Sequence, residues 1–78
     1  MAYRILIVDD EPILTELLST HLQDHGYTVS AANSSAEALA KLNTKPNLIL
    51  LDINMPGMDG LELCKVIRNH IVCPILFL

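Results

Sequence analysis

Four short apolar runs lie along the chain and predict four β-strands. Residues 3–8 are rich in β-branched and aliphatic side chains, and residues 48–51 are apolar throughout. Both patterns are typical of strands buried on both faces of a parallel sheet. Residues 27–31 alternate between polar and apolar side chains, which predicts a half-exposed edge strand. Residues 75–78 form the fourth run, after Pro74.

A helical pattern follows the first strand. Pro12 suits the first turn of a helix, where its missing N–H costs nothing. Apolar residues then recur at helical spacing until Gly26, which predicts the end of the helix. The predicted apolar stripe consists of Ile13, Leu14, Leu17, Leu18 and Leu22.

Capping residues mark two further helices. Ser34 and Glu37 form a capping box, and the helix that they open ends near Pro46. Asp59 and Glu62 cap a third helix, whose apolar residues are Leu61, Cys64, Val66 and Ile67. The predicted order is βαβαβαβ. Strands that alternate with helices indicate right-handed crossovers and an open parallel α/β sheet covered on both faces.

Composition limits the class of protein. The chain has 78 residues, of which 51% are hydrophobic and 18% charged, so it is too apolar for a disordered segment and has room for one core.

Its longest apolar run, residues 71–78, is far shorter than the roughly 20 residues of a membrane-spanning helix. Acidic residues follow the first apolar run at once, unlike a signal peptide. Cys64 and Cys73 are interpreted as small core residues. We therefore expect a cytoplasmic protein.

Charge is distributed unevenly along the chain. The net charge is −4, with −5 on residues 1–40 and +1 on residues 41–78. The acidic first half lacks the basic patch that nucleic-acid binding requires. It favours a cation as partner.

Aspartates end the two most buried predicted strands. Asp9 and Asp10 follow the first strand, and Asp52 closes the third. If these strands are neighbours, the three carboxylates converge in the crevice at the carboxyl ends of the sheet. Such oxygen donors suit Mg²⁺, and one carboxylate could then attack a phosphoryl group. Each aspartate alone could instead be a turn former or a helix cap, as Asp10 could be for the first helix.

The segments around these aspartates resemble the receiver domain of two-component response regulators. The motifs lie at residues 5–12 and 50–60, and the resemblance runs the length of the chain. It implies a flavodoxin-like open parallel sheet in a three-layer α/β/α arrangement, with strand order 2-1-3-4. It also implies a phosphoacceptor signalling domain rather than a turnover enzyme.

The resemblance assigns roles to individual residues. Asp52 would accept a phosphoryl group from the phosphohistidine of a sensor histidine kinase. Asp10 and Asp52 would bind Mg²⁺ with the main-chain carbonyl of Asn54, and Asp9 would act mainly through water. The loop beside the site would be shaped by Met55, Pro56 and Gly57. An output such as transcription would be regulated through a separate DNA-binding domain.

The resemblance further implies an incomplete domain over residues 1–78. Receiver domains have five strands and five helices, so the fourth helix, fifth strand and fifth helix are expected to be absent. The family's Ser/Thr would fall just after Leu78, and its Lys and switch aromatic lie on the fifth strand. Residues 74–78 would then form an unpaired apolar edge, and we expect a homo-oligomer through it. A non-signalling, self-associating module is therefore an alternative function.

Other chemistries have weaker support. His21 and His25 stand four residues apart, a spacing that can bind a metal, but no third ligand is evident and we interpret them as a solvated helix face. No glycine-rich loop follows the first strand, which disfavours a nucleotide-binding domain. A phosphatase of the haloacid dehalogenase type would need a carboxylate where this chain has Asn54.

Overall fold

The computed structural model describes residues 3–57 and 59–78, which form a four-stranded parallel sheet with three α-helices. The strands are β1 (Arg4–Val8), β2 (Thr28–Ala32), β3 (Leu48–Leu51) and β4 (Ile75–Phe77). The helices are α1 (Pro12–Asp24), α2 (Ser35–Ala40) and α3 (Gly60–Arg68). The strand order is β2-β1-β3-β4, so the predicted order 2-1-3-4 and the α/β class are confirmed. No helix in the described ranges is long and apolar enough to cross a membrane.

The predicted second helix divides into two parts. The Ser34 hydroxyl accepts a hydrogen bond from the Glu37 N–H at 3.1 Å, which caps α2 as the sequence predicts. The α-helix ends at Ala40 and tightens into a 3₁₀ turn over Lys41–Thr44. Lys45 then adopts a left-handed conformation with φ of 55°, which ends the helical segment just before Pro46.

One face of the sheet holds the main hydrophobic core. Leu6 and Val8 of β1 lie beside Ile49 and Leu51 of β3, and none of these four side chains is exposed. The core is closed by α2 and α3, which contribute Ala38, Leu63 and Ile67. Burying each large aliphatic side chain contributes about 1.5–3 kcal/mol. This face therefore supplies most of the stability of the sheet.

The opposite face is covered by α1. Ile5 and Ile7 are buried outside the main core, and they point toward α1 because successive side chains of a strand alternate between faces. The helix packs against β1 and β2. The predicted apolar stripe of α1 is covered only in part, since Ile13 is 76% exposed and Leu17 is 64% exposed. The fully buried residue of α1 is Thr15, which the stripe did not include.

The register of α3 also differs from the sequence prediction. Leu61 was expected on the apolar side of this helix, but it is 54% exposed. Leu63 and Ile67 are the side chains that enter the core, together with the backbone of Gly60. The charged residues on the other side of α3, Glu62, Lys65 and Arg68, are exposed.

Two leucines of α3 provide a matched test of this packing. Leu63→Ala is expected to lower the free energy of unfolding by about 2–5 kcal/mol, because it leaves a cavity between α3 and the sheet. Leu61→Ala should change it by no more than about 0.5 kcal/mol, because the side chain is largely in solvent. Urea unfolding followed by circular dichroism measures both. Equal losses in the two variants would contradict the observed register.

Candidate functional site

The parallel register brings the ends of β1 and β3 to the same edge of the sheet. Val8 pairs with Leu51, so Asp9 and Asp52 follow neighbouring strands at the same level. The Asp52 N–H donates to the Val8 carbonyl at 2.9 Å, and the Asp9 N–H donates to the Ala32 carbonyl at 3.1 Å. The backbone of each aspartate is thus hydrogen-bonded to the neighbouring strand.

Three carboxylates meet at this edge. One oxygen from each of Asp9, Asp10 and Asp52 can be chosen so that all three atoms lie within 4.8 Å of one another. Among the residues that the structure describes, no other three-membered group of His, Cys, Asp and Glu ligands is this close. The arrangement is an all-oxygen cluster at the carboxyl ends of parallel strands, where ligands of open α/β sheets bind.

The electrostatics of the cluster are unfavourable without a cation. Asp9 is 4% exposed, whereas Asp10 and Asp52 are half-buried. Burial raises the pKa of Asp9, and the negative charges of Asp52 and Asp10 raise it further. The Glu11 N–H opposes this rise by donating to Asp9 Oδ1 at 3.0 Å. A bound cation would remove the repulsion that remains.

The loop after β3 orients Asp52. The Asn54 N–H donates to Asp52 Oδ1 at 3.1 Å, a local turn that holds the carboxylate over the start of the loop. Met55 is 7% exposed and belongs to the main core, so it anchors the loop. Pro56 is exposed, and Gly57 reverses the chain with φ of 85°, a conformation that glycine adopts without strain.

Gly60 is a site residue that sequence reasoning did not single out. Its N–H donates to the Ile53 carbonyl at 2.7 Å as α3 begins. A Cβ at this position would overlap the Asp52 carbonyl oxygen and lie 2.5 Å from Ile53 Cα. Only glycine therefore lets α3 start against the backbone that carries Asp52. The available signal was a glycine directly after the Asp59 cap, at the first residue of the helix.

A partly buried polar network fixes the loop between β1 and α1. The Asn33 side-chain amide donates to the Asp9 carbonyl at 2.8 Å and to Thr15 Oγ1 at 3.1 Å. Thr15, which is 3% exposed, donates in turn to the Pro12 carbonyl at 3.0 Å. The network joins the ends of β1 and β2 to the first turn of α1. Sequence reasoning missed both Asn33 and Thr15, and the only signal was a threonine within an apolar helical stripe.

Comparison with known proteins matches this chain and its fold to one family. The family model described as the response regulator receiver domain matches residues 5–78. The CpxR homolog of Haemophilus influenzae, named a transcriptional regulatory protein, is 47% identical over 75 residues. That alignment covers 96% of this chain and 33% of the relative. The chain thus spans about a third of the length of this curated relative.

Solved structures agree with the sequence matches. Chemotaxis protein CheY4 of Vibrio cholerae superposes with a TM-score of 0.92 at 37% identity, covering 99% of this chain and 68% of that chain. The response regulator TrrA of Thermotoga maritima has been solved in complex with Mg²⁺ and BeF. It matches with a TM-score of 0.79 at 47% identity, covering 88% of this chain and 60% of that chain. A structure of TrrA with histidine kinase ThkA matches at a TM-score of 0.87 and 43% identity, with 99% and 67% coverage.

The matches agree with the strand order of the sheet. The parallel sheet of order β2-β1-β3-β4 with flanking helices is the flavodoxin-like fold of CheY-type proteins. The family match covers all but the first four residues of the chain. On these grounds, the chain belongs to the family of response regulator receiver domains.

Proposed function

We propose that Asp52 is a phosphoacceptor that takes a phosphoryl group from a sensor histidine kinase in the presence of Mg²⁺. The observation that carries the proposal is the convergence of the Asp9, Asp10 and Asp52 carboxylates at the end of β1 and β3. It is supported by family membership and by the TrrA structures, of which one contains Mg²⁺ with BeF and another contains a histidine kinase. In this role the chain is a signalling domain rather than a turnover enzyme.

The acidic cluster fits Mg²⁺ chemically. Mg²⁺ prefers oxygen ligands, binds through one or two carboxylates and keeps several waters. Asp10 and Asp52 are half-buried and can face both metal and solvent, so we assign them as direct ligands with the main-chain carbonyl of Asn54. Asp9 lies deeper, and we assign it a contact through water. When bound, the metal supplies charge neutralisation between carboxylate and phosphoryl group.

The chemical step uses one oxygen of Asp52. The Asn54 N–H holds Oδ1, which leaves Oδ2 as the attacking atom in the proposed reaction. Oδ2 forms a bond to phosphorus while the phosphorus–nitrogen bond of the kinase phosphohistidine breaks, and the electron pair stays on the imidazole nitrogen. When the other ring nitrogen carries a proton, the imidazole leaves as a neutral histidine, and the other product is an aspartyl phosphate. The packing of Gly60 against the Asp52 carbonyl keeps this backbone in place.

The proposed output is regulation of a partner domain in a cytoplasmic protein. The CpxR homolog is named a transcriptional regulatory protein and is about three times as long as the matched segment. The described surface offers no reason for direct DNA binding, because the net charge of the chain is −4. We therefore assign any DNA contact to a separate output domain.

Substitution of Asp9 tests two separate effects of its carboxylate, namely charge repulsion within the acidic cluster and a contribution to Mg²⁺ binding. In Mg²⁺-free buffer, Asp9→Asn should raise the free energy of unfolding by about 1 kcal/mol, because it removes a buried charge and its repulsion with Asp10 and Asp52. The asparagine oxygen can still accept from the Glu11 N–H. The same variant should weaken Mg²⁺ binding roughly tenfold. Residues that hydrogen-bond to the ligands of a metal, and not to the metal itself, typically have an effect of this size.

Urea unfolding with and without Mg²⁺, together with isothermal titration calorimetry, measures both effects of Asp9→Asn. The control is Glu16→Gln, which removes one exposed negative charge from α1. A metal-free Asp9→Asn chain that is less stable than the original would contradict the repulsion argument. Unchanged Mg²⁺ affinity would contradict the role assigned to Asp9.

Phosphorylation can be tested with a small donor. Incubation of the chain with acetyl phosphate and Mg²⁺ should add one phosphoryl group, detected by intact mass, and chelation of Mg²⁺ should prevent the addition. Asp52→Asn should abolish labelling, because the amide cannot act as the nucleophile. Asp24→Asn, at an exposed position of α1, should be labelled like the original. Labelling that survives Asp52→Asn would refute the proposed phosphoacceptor.

A second function, self-association, is favoured by the exposed apolar edge at β4. Leu76, Phe77 and Leu78 are 56%, 44% and 51% exposed, and β4 pairs only with β3 in the described part of the chain. An unpaired strand presents backbone N–H and carbonyl groups that another chain can pair with. We propose that residues 74–78 mediate a homo-oligomer. In this role the chain acts as an interaction module, and loss of phosphoryl transfer in the test above would favour it.

Charge at this edge should block the association. The chain is expected to form dimers or larger oligomers at micromolar concentration. Leu76→Glu should shift it to monomer, because a partner chain would cover the new carboxylate on the face of the sheet and burying that charge is costly. Val72→Glu is the matched control, because Val72 is 97% exposed and precedes β4. Light scattering measures the mass of each variant. A monomeric original chain would refute the oligomer.

A further inference from the structure

The C-terminal end of α1 carries two imidazoles that the proposed phosphoacceptor site does not use. His21 and His25 stand one helical turn apart, and both are exposed. Their ring centroids are 4.7 Å apart and the ring planes are inclined by 52°. The sequence alone favoured a solvated helix face for this pair. The structure adds two observations on this pair, the separation of the rings and the orientation of His25.

The first observation is the separation of the rings. With metal–nitrogen bonds of about 2.0–2.1 Å, two imidazoles that bind one metal at roughly 90–110° have ring centres about 4.5–5.2 Å apart. The observed 4.7 Å falls inside this interval. Both rings also face solvent, so a cation can approach without displacing any packed side chain.

The second observation is the hydrogen bond that holds His25. Its Nδ1 lies 2.9 Å from the His21 carbonyl oxygen, and a carbonyl can only accept, so this nitrogen carries the proton. The lone pair of the neutral ring is then on Nε2. The backbone N–H of His25 donates to the Leu22 carbonyl at 3.1 Å and not to the His21 carbonyl. Donation of one ring N–H to a carbonyl is how metal-binding histidines are usually oriented.

The donor type selects the class of cation. Imidazole nitrogens bind Zn²⁺, Ni²⁺ and Cu²⁺, whereas Mg²⁺ prefers the oxygen donors of the aspartate cluster. Within residues 3–57 and 59–78, no third His, Cys or carboxylate atom joins the two imidazoles within 4.8 Å. A cation held by two protein ligands would keep water in its remaining coordination positions.

We infer that His21 and His25 form a two-histidine site for a borderline divalent transition cation, separate from the acidic edge of the sheet. The cation links side chains one turn apart at the end of α1. Because it binds the folded helix in preference to the unfolded chain, it also raises the thermal stability of the protein.

Titration with Ni²⁺ tests the site directly. The experiment uses the chain in excess Mg²⁺, so that hard-cation sites are occupied, and follows the imidazole proton signals by NMR. Paramagnetic Ni²⁺ should broaden the signals of His21 and His25 first and leave His70 sharp. His21→Ala and His25→Ala should each weaken binding at least tenfold, because one nitrogen cannot chelate. His70→Ala is the matched control and should bind Ni²⁺ like the original chain.

Thermal unfolding provides an independent readout. Ni²⁺ should raise the melting temperature of the original chain and of His70→Ala, and it should not raise that of His25→Ala. Circular dichroism should show unchanged helix content in the three variants, since all three histidines are exposed. Broadening of His70 together with the other two signals, an unchanged Ni²⁺ affinity in His25→Ala, or displacement of Ni²⁺ by Mg²⁺ would each overturn the assignment.

Discussion

The pairing of β1 with β3 is the interaction on which the acidic site depends. Four consecutive residue pairs run in parallel, from Ile5 with Leu48 to Val8 with Leu51, and the Asp52 N–H extends the ladder by donating to Val8. The pairing places like charges together at the edge of the sheet. The cost of that repulsion is offset by the core beneath it, where the side chains of Leu6, Val8, Ile49 and Leu51 are fully buried. Stability comes from the strands, and the charge cluster is held at their ends.

The two faces of the sheet contribute unequally to that support. The face under α2 and α3 is closed by a continuous apolar cluster. The face under α1 is closed over β1 and β2, while Leu76 of β4 remains 56% exposed. Exposed apolar side chains at a strand that ends a sheet favour association with further protein surface. The site lies where the better-packed strands end, so its geometry does not depend on the exposed part of β4.

The sequence predicted the elements that depend on residue patterns within a single segment. The continuous apolar runs of β1 and β3 and the aspartates that end them were identified, and so was the Ser34 cap of α2. The features that it did not predict depend on contacts between segments that are distant in the sequence. The clash that excludes a side chain at Gly60 involves the backbone of Asp52, which lies eight residues earlier. The hydrogen bond from Asn33 to Asp9 joins the ends of two strands and likewise has no local pattern.

The same distinction explains the errors in α1 and α3. Helical spacing shows which residues share a side of a helix, but the neighbouring segments decide how much of that side is covered. Ile13 and Leu17 satisfy the spacing and are exposed, because α1 packs mainly over β1 and β2. In α3, Leu61 does not reach the hydrophobic core, because Gly60 packs against the backbone of Asp52 and this contact sets the rotation of the helix. Burial of a helical side chain is therefore a property of packing. The apolar run of β1 correctly predicted burial on both faces, whereas in β3 Ile49 and Leu51 are fully buried and Leu48 and Leu50 are half-buried.

Two groups of potential metal ligands lie at opposite ends of α1, and they differ in chemistry. The helix begins beside the carboxylates of Asp9 and Asp10 and ends at His21 and His25. Its 13 residues rise about 20 Å at 1.5 Å per residue. That length exceeds the screening length of roughly 8 Å at physiological ionic strength, so a cation at one end changes the potential at the other only weakly. Oxygen donors at one end and imidazoles at the other also favour different cations. Binding at the two ends of α1 should therefore be energetically independent.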